Sequence, residues 1–175
     1  MSAVLPDNWH PRGAAPRPGP VVLLDLDGVI ADAAHRQSFL HQEEPDWSGF
    51  YAGVAGDGVI AAGRALAASL AADLPVLILT GRIDEVADCT RTWLDDNGIR
   101  WDMLICRPSA EDDDSRPAVD YKRDEISRLR DRGFEPRLAA DDNRKIVAMY
   151  EEAGIPALYI PSGYYDNSQR YDGGV

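Results

Sequence analysis

Val21-Val22-Leu23-Leu24 is an uninterrupted apolar run that ends abruptly at Asp25-Leu26-Asp27-Gly28, which predicts a short strand buried on both faces. Further along, the apolar period becomes helical. Val59, Ile60, Gly63, Leu66, Ala67 and Leu70 share one helical face, and Pro75 to Thr80 then reads as a second strand. The plan repeats with a stripe through Val86, Cys89, Trp93 and Leu94, closed by Asn97-Gly98, and a strand from Trp101 to Cys106. A third helix around Lys122 to Arg132 stops at Gly133, and a strand from Arg137 to Ala140 meets Asp141-Asp142. A fourth helix runs from about Asn143 to before Gly154, and Ala157 to Ile160 supplies the last strand. Strands and helices alternating at this spacing predict an α/β fold. It is a Rossmann-like, open, doubly wound parallel sheet of about five strands with helices on both faces and ligands at the carboxyl ends of the strands.

The remaining segments break this rhythm. Residues 1–20 hold five prolines and no apolar period, so they are expected to be a disordered leader without chemistry. Residues 31–58 are polar and aromatic, with glycines and the cluster Asp46-Trp47-Ser48-Gly49-Phe50-Tyr51, and predict a small flap after the first strand. One domain over 21–163 and a tail over 164–175 complete the expected organisation.

Length and composition fit that picture: 175 residues, 45% hydrophobic and 27% charged, suit one water-soluble domain. No apolar stretch approaches the roughly 20 residues of a membrane-spanning helix. Cys89 and Cys106 stand far apart in no metal-binding pattern, so buried thiols in the cytoplasm are expected. The formal charge of -12 disfavours stable, nonspecific adhesion to nucleic acid, and an anionic substrate must be caught locally. Lys122 and Lys145 are the only lysines.

Polar residues gather at the strand ends: Asp25 and Asp27 after the first, Thr80-Gly81-Arg82 after the second, Asp141-Asp142 after the fourth. Topology puts them on one rim, within reach of Lys122. Four carboxylates repel one another and call for a cation, and all-oxygen ligation favours a hard ion such as Mg²⁺ over Zn²⁺. Phosphoryl transfer suits a metal, a spare carboxylate and fixed cationic donors. In that chemistry Asp25 is the nucleophile, and Asp27, expected to point the same way two residues on, serves as acid and then base. Taken singly, the signals are weaker: Thr80 alone could begin a helix as an N-cap, Lys122 could be a solvated helix residue, and Asp141 or Asp142 could cap the next helix. Trp47, Phe50 and Tyr51 read as flap core or as a platform for a base, and His35 and His41 lack a third metal ligand.

Asp25-Leu26-Asp27-Gly28-Val29-Ile30, Thr80-Gly81-Arg82, Lys122 and Asp141-Asp142, in this order, resemble the four motifs of the haloacid dehalogenase (HAD) superfamily of phosphatases. Arg36, the Asp46-Trp47-Ser48 flap, Arg82, the Asp114-Ser115-Arg116 turn and Ser162-Gly163 extend the resemblance to the phosphatase domain of bacteriophage polynucleotide kinase/phosphatase. This family removes 3′-phosphates from nucleic-acid ends and nucleotides. The resemblance implies Asp25 as nucleophile, Asp27 as acid/base, and Thr80 and Lys122 on the phosphoryl oxygens. It implies a Mg²⁺ site of Asp25, Asp27, Asp141 and Asp142, with Arg36, Gly81 and Arg82 binding substrate. Where the family carries an acidic residue before its lysine, this sequence has Ala118, with Asp120 or Asp114 as substitutes. No G-x-x-x-x-G-K-[ST] loop occurs, so no kinase half is expected.

The leading expectation is therefore a Mg²⁺-dependent phosphomonoesterase for 3′-phosphates of nucleotides or nucleic-acid ends. A small-molecule or nucleotide 5′-phosphatase is the alternative, favoured by the acidic charge. A non-catalytic receiver-like phospho-switch is the remote one, opposed by motif order, because a receiver has its acidic pair first and its acceptor aspartate after a middle strand.

Overall fold

Both faces of the Val21 run are apolar because the strand lies at the centre of a sheet. The computed structural model describes residues 4–108 and 116–165. In chain order it holds β1 (Trp9–Pro11), β2 (Gly19–Leu24), β3 (Ala31–Asp32), α1 (Trp47–Ala52), β4 (Gly58–Val59), α2 (Ala61–Ser69) and β5 (Val76–Ile83). These are followed by α3 (Ala87–Asp96), β6 (Met103–Arg107), α4 (Ala118–Asp131), β7 (Phe134–Asp141), α5 (Arg144–Glu152) and β8 (Ala157–Tyr159). Six strands form the main sheet in the order β1-β6-β5-β2-β7-β8. The five from β6 to β8 are parallel, and β1 runs antiparallel on the β6 edge.

Alternation along each strand sorts side chains onto two helical layers. Val21, Leu23, Leu77, Leu79, Met103 and Ile105 pack with Tyr121, Ile126 and Leu129 of α4 and Met149 and Tyr150 of α5. Val22, Leu24, Val76, Ile78, Leu104 and Cys106 pack on the opposite face with Ala67 of α2 and Trp93 and Leu94 of α3. The expected doubly wound sheet with helices on both faces is therefore present. Helices α3 and α4 end where Asn97-Gly98 and Gly133 predict, with Gly98 and Gly133 at φ +62° and +79°. Among the described residues no helix is long and apolar enough to cross a membrane.

The expectation of a disordered leader fails at Trp9–Pro11. Trp9 is buried, its Nε1 donates to Glu125 at 2.7 Å, and Asn8 Nδ2 donates to the Cys106 carbonyl at 2.7 Å. A three-residue edge strand carries no readable period, and Pro11 is tolerated there because an edge leaves half the N–H groups unpaired. The flap, by contrast, forms where expected. It holds a 3₁₀ turn (Ala34–Phe39), α1 and a second 3₁₀ turn, framed by β3 and β4, which pair antiparallel. Helix α2 lies tightly on its base, since a methyl group on Gly63 would stand 1.9 Å from the Val29 carbonyl oxygen.

Candidate active site

The chain leaves β2 toward β5 and β6 on one side and later crosses back to β7 and β8 on the other. The crevice at this reversal is where open α/β sheets bind ligands. Asp25 follows β2 there, flanked by Thr80 and Arg82 at the end of β5 and by Asp141 at the end of β7. Asp25, Asp27, Thr80, Arg82, Lys122, Asp141 and Asp142 are all buried, and Arg36 reaches in from the flap with none of its surface exposed.

Two constellations result. In the first, Lys122 of α4 donates from Nζ to Asp25 Oδ1 at 2.8 Å and to Asp141 Oδ2 at 2.7 Å. Asp142 completes a group in which one carboxylate oxygen from each of Asp25, Asp141 and Asp142 lies within 4.8 Å of the others. In the second, Asp27 is gripped by two guanidinium groups. Arg82 donates from Nε and Nη2 at 3.0 and 2.7 Å, and Arg36 donates from Nη2 at 2.5 Å. Asp57 closes this lattice, accepting from Arg36 Nε and Nη2 at 2.7 and 2.8 Å and from Arg82 Nη2 at 2.5 Å. The Arg36 guanidinium also lies 4.1 Å from the Phe50 ring centroid, and Arg82 Nη1 donates to Thr90.

Asp25 and Asp27 thus serve different neighbours. Strand β2 ends at Leu24 and the chain turns tightly over Leu26, whose carbonyl accepts from Ile30 and Ala31, so period-two reasoning does not extend to Asp27. The Asp27 carboxylate lies with the arginines, while the three-carboxylate group consists of Asp25, Asp141 and Asp142. Asn143 rather than an aspartate caps α5, accepting from the Lys145 N–H, and Asp141 Oδ1 accepts from the Asn143 N–H. Thr80 Oγ1 accepts from the Arg82 N–H, and the Gly81 carbonyl lies 3.5 Å from the Tyr51 hydroxyl. Ala118 is buried, and Asp120 pairs with Arg123. Asp114 and Ser115 of the expected turn lie outside the described residues.

Glycine at position 28 has a definite cause. It sits at φ +80°, and a Cβ there would stand 2.0 Å from Asp142 Oδ2 and 2.8 Å from the Ser162 Cβ. Nearby, Tyr164 binds the flap to the C-terminal segment: its hydroxyl donates to Asp32 at 2.9 Å and accepts from the Ala33 N–H at 2.7 Å.

Electrostatics separates the two constellations. Burial pushes the Asp25 carboxyl well above its ordinary range, and Asp141 and Asp142 add to this against the pull of Lys122. Burial and Asp141 push Asp142 up to about 7. Burial acts the same way on Asp27, but Arg82 and Arg36 outweigh it and hold this carboxyl below its usual value. For Lys122, burial is outweighed by Asp141 and Asp25, and its ammonium is held charged.

The crevice buries five carboxylates (Asp25, Asp27, Asp57, Asp141, Asp142) against three cations (Arg36, Arg82, Lys122), leaving two formal negative charges. Among the described residues Asp142 Oδ2 is buried without a hydrogen-bond partner of good geometry, although the Ser162 side chain lies beside this carboxylate. An all-oxygen donor group, an orphaned carboxylate oxygen and a surplus of two negative charges fit a hard divalent cation at Asp25, Asp141 and Asp142. Such a fit has a thermodynamic signature. Asp25 and Asp142 have folded-state pKa values above their unfolded ones. Their stabilisation is therefore present below about pH 3.8 and lost as pH rises toward and past 7. Chelated protein is expected to lose a few kcal/mol of unfolding free energy between pH 4 and 7.5, and a divalent cation is expected to restore it. Chemical denaturation across that range with chelator and with cation checks this; a flat profile in chelator contradicts it.

Among known proteins, residues 19–165 match the family described as the polynucleotide kinase PNKP phosphatase domain. A search of curated proteins gave no match. Among solved structures, the Pnkp1/Rnl/Hen1 RNA repair complex is similar at 20% identity and a TM-score of 0.62, over 82% of this chain and 42% of that one. The chain therefore spans less than half of that protein's length. The class C acid phosphatase of Bacillus anthracis with tungstate bound is similar at 11% identity and a TM-score of 0.57, over 89% of this chain and 75% of the other. A haloacid dehalogenase-like hydrolase of Streptococcus pneumoniae has 12% identity and a TM-score of 0.50, over 82% and 84%. At these identities the structures speak for the fold, and the family match speaks for descent. With 19–165 accounted for and the aspartate cluster in place, the chain belongs to the PNKP phosphatase-domain family of the HAD superfamily, and it is a phosphatase.

Proposed function

We propose that this phosphatase is a Mg²⁺-dependent phosphomonoesterase that forms an aspartyl phosphate on Asp25 and removes 3′-phosphates from nucleotides or short nucleic-acid ends. The observation that carries the chemistry is the pairing of Asp25, held by Lys122, with Asp27, held by Arg36 and Arg82, at the end of one central strand. Asp25 attacks phosphorus, and the bond to the ester oxygen breaks as that oxygen takes a proton from Asp27. In the second step the Asp27 carboxylate takes a proton from water. The resulting hydroxide attacks phosphorus, inorganic phosphate leaves, and the Asp25 carboxylate is regenerated. The arginine clamp favours the ionised Asp27 of the second step, so Asp27 must gain a proton before the first. Mg²⁺, held by Asp25, Asp141 and Asp142, supplies charge neutralisation at the transferring oxygens. In this reading Lys122 and Thr80 hold those oxygens, and Arg36 Nη1, which has no hydrogen-bond partner among the described residues, is the donor left for the substrate. Free, buried Cys106 and half-buried Cys89 are compatible with a cytoplasmic setting.

The 3′-end preference rests on the family match. The charge of -12 supports local capture of one terminal phosphate rather than a long backbone, whose binding grows with each neutralised phosphate. Matched 3′- and 5′-phosphorylated nucleotides and oligonucleotides, compared by kcat/KM across salt, test the reading. A preference for the 3′-phosphate, a flat dependence on length and a shallow salt slope are expected. A preference for 5′-mononucleotides would assign the chain to the small-molecule alternative.

A further inference from the structure

The edge strand β1 lays His10 alongside β6. His10 pairs with Leu104 in the β1–β6 register, so it shares a face with Leu104 and with Cys106, two residues on. Asp84 follows directly after β5, whose last residue Ile83 pairs with Arg107. One ring nitrogen of His10, one carboxylate oxygen of Asp84 and the Cys106 sulfur all lie within 4.8 Å of one another. His10 Nε2 and Asp84 Oδ1 are 2.6 Å apart. Cys106 is buried, whereas the side chains of His10 and Asp84 are 21% and 33% exposed, so the sulfur forms a floor beneath two partly open walls.

We propose that His10, Asp84 and Cys106 form a second metal site, separate from the catalytic carboxylates, that takes a borderline-soft ion of the Zn²⁺ class with water in the fourth position. The donor set decides the class of ion. One nitrogen, one oxygen and one sulfur suit Zn²⁺ and Co²⁺ and do not suit Mg²⁺, which selects oxygen. Around a tetrahedral ion with bonds of about 2.0 to 2.3 Å, neighbouring donor atoms stand roughly 3.3 to 3.8 Å apart. The His10–Asp84 pair, 2.6 Å apart, would open by about 1 Å, and the sulfur already lies within 4.8 Å of both. Burial and the neighbouring Asp84 carboxylate keep the thiol protonated without metal. Metal binding therefore releases the thiol proton to solvent and gives the thiolate and the Asp84 carboxylate one shared cation. The three ligands come from β1, from the residue after β5, and from β6. A bound ion fastens the edge strand to the rim that carries Arg82.

The experiment is a Co²⁺ titration of the Asp141→Asn protein, in which the all-oxygen group is disabled. One Co²⁺ per chain with a thiolate-to-cobalt charge-transfer band is expected, displaced by Zn²⁺, and Zn²⁺ should raise Tm. The band should persist in Cys89→Ala and vanish in Cys106→Ala. His10→Gln changes a partly exposed side chain and leaves the thiol, and it should weaken Co²⁺ binding by at least about tenfold. Absence of the band at millimolar Co²⁺, its survival in Cys106→Ala, or unchanged affinity in His10→Gln would overturn the site.

Discussion

Asp25→Asn protein is expected to fold normally and to lose turnover by on the order of 10⁴-fold or more, the scale of removing a nucleophile. The amide keeps the shape of the carboxylate but cannot attack phosphorus. Folding should survive because Lys122 retains Asp141 as its partner at 2.7 Å. Burial already disfavours the charge on Asp25, so the chelated Asp25→Asn protein should be at least as stable as wild type near neutral pH. Turnover of a generic aryl phosphate, with denaturant unfolding on the same preparation, separates chemistry from fold. Activity within tenfold of wild type would remove Asp25 from the nucleophile's role.

Arg82→Ala is expected to cost both stability and activity. A surface arginine contributes about 1 kcal/mol or less, whereas breaking a buried ion pair on one side typically costs about 3 to 5 kcal/mol. Arg82 belongs to the second kind: it is wholly buried, grips Asp27 through two nitrogens and also binds Asp57 and Thr90. Without it Asp27 keeps only Arg36, and its orientation toward the leaving group is lost. Arg82→Lys should rescue little, because an ammonium cannot reproduce the two-nitrogen grip. Arg36→Ala should impair turnover less, since Arg36 makes one bond to Asp27 rather than two. A stability loss near 1 kcal/mol for Arg82→Ala would show that the lattice is solvated in solution.

The strand ends of the candidate site were legible because polar residues there interrupt strong local patterns. Asp25 breaks an apolar run, Thr80 ends another, and Asp141-Asp142 ends a third, so topology alone predicts a shared rim. Asp57 was not legible. It lies in Gly56-Asp57-Gly58, a stretch that reads as turn, and its partners Arg36 and Arg82 stand 21 and 25 residues away. The family resemblance gives both arginines to a substrate phosphate, and in the folded chain most of their donors also bind Asp27 and Asp57. Only counting buried charges reveals Asp57, since two buried guanidinium groups need more than one carboxylate. Strand β1 was hidden for another reason: its stability comes from Trp9 and Asn8 bonding to Glu125 more than a hundred residues later.

The same lattice bears on how the enzyme moves. Arg36 and Asp57 belong to the flap, Asp27 and Arg82 to the body, and their bonds cross the boundary in both directions. Trp93 of α3 donates to the Asp57 carbonyl at 2.9 Å, and Tyr164 ties down the flap's other end. Swinging the flap open would strip buried charges of their partners, so the flap is expected to stay shut in the absence of substrate. In that state the carboxylates at the end of β2 are sealed from solvent, with Asp25 and Asp27 only 1% and 4% exposed. A substrate phosphate must therefore displace part of this lattice to reach Asp25, so admission and release are expected to share control of the rate with bond-making.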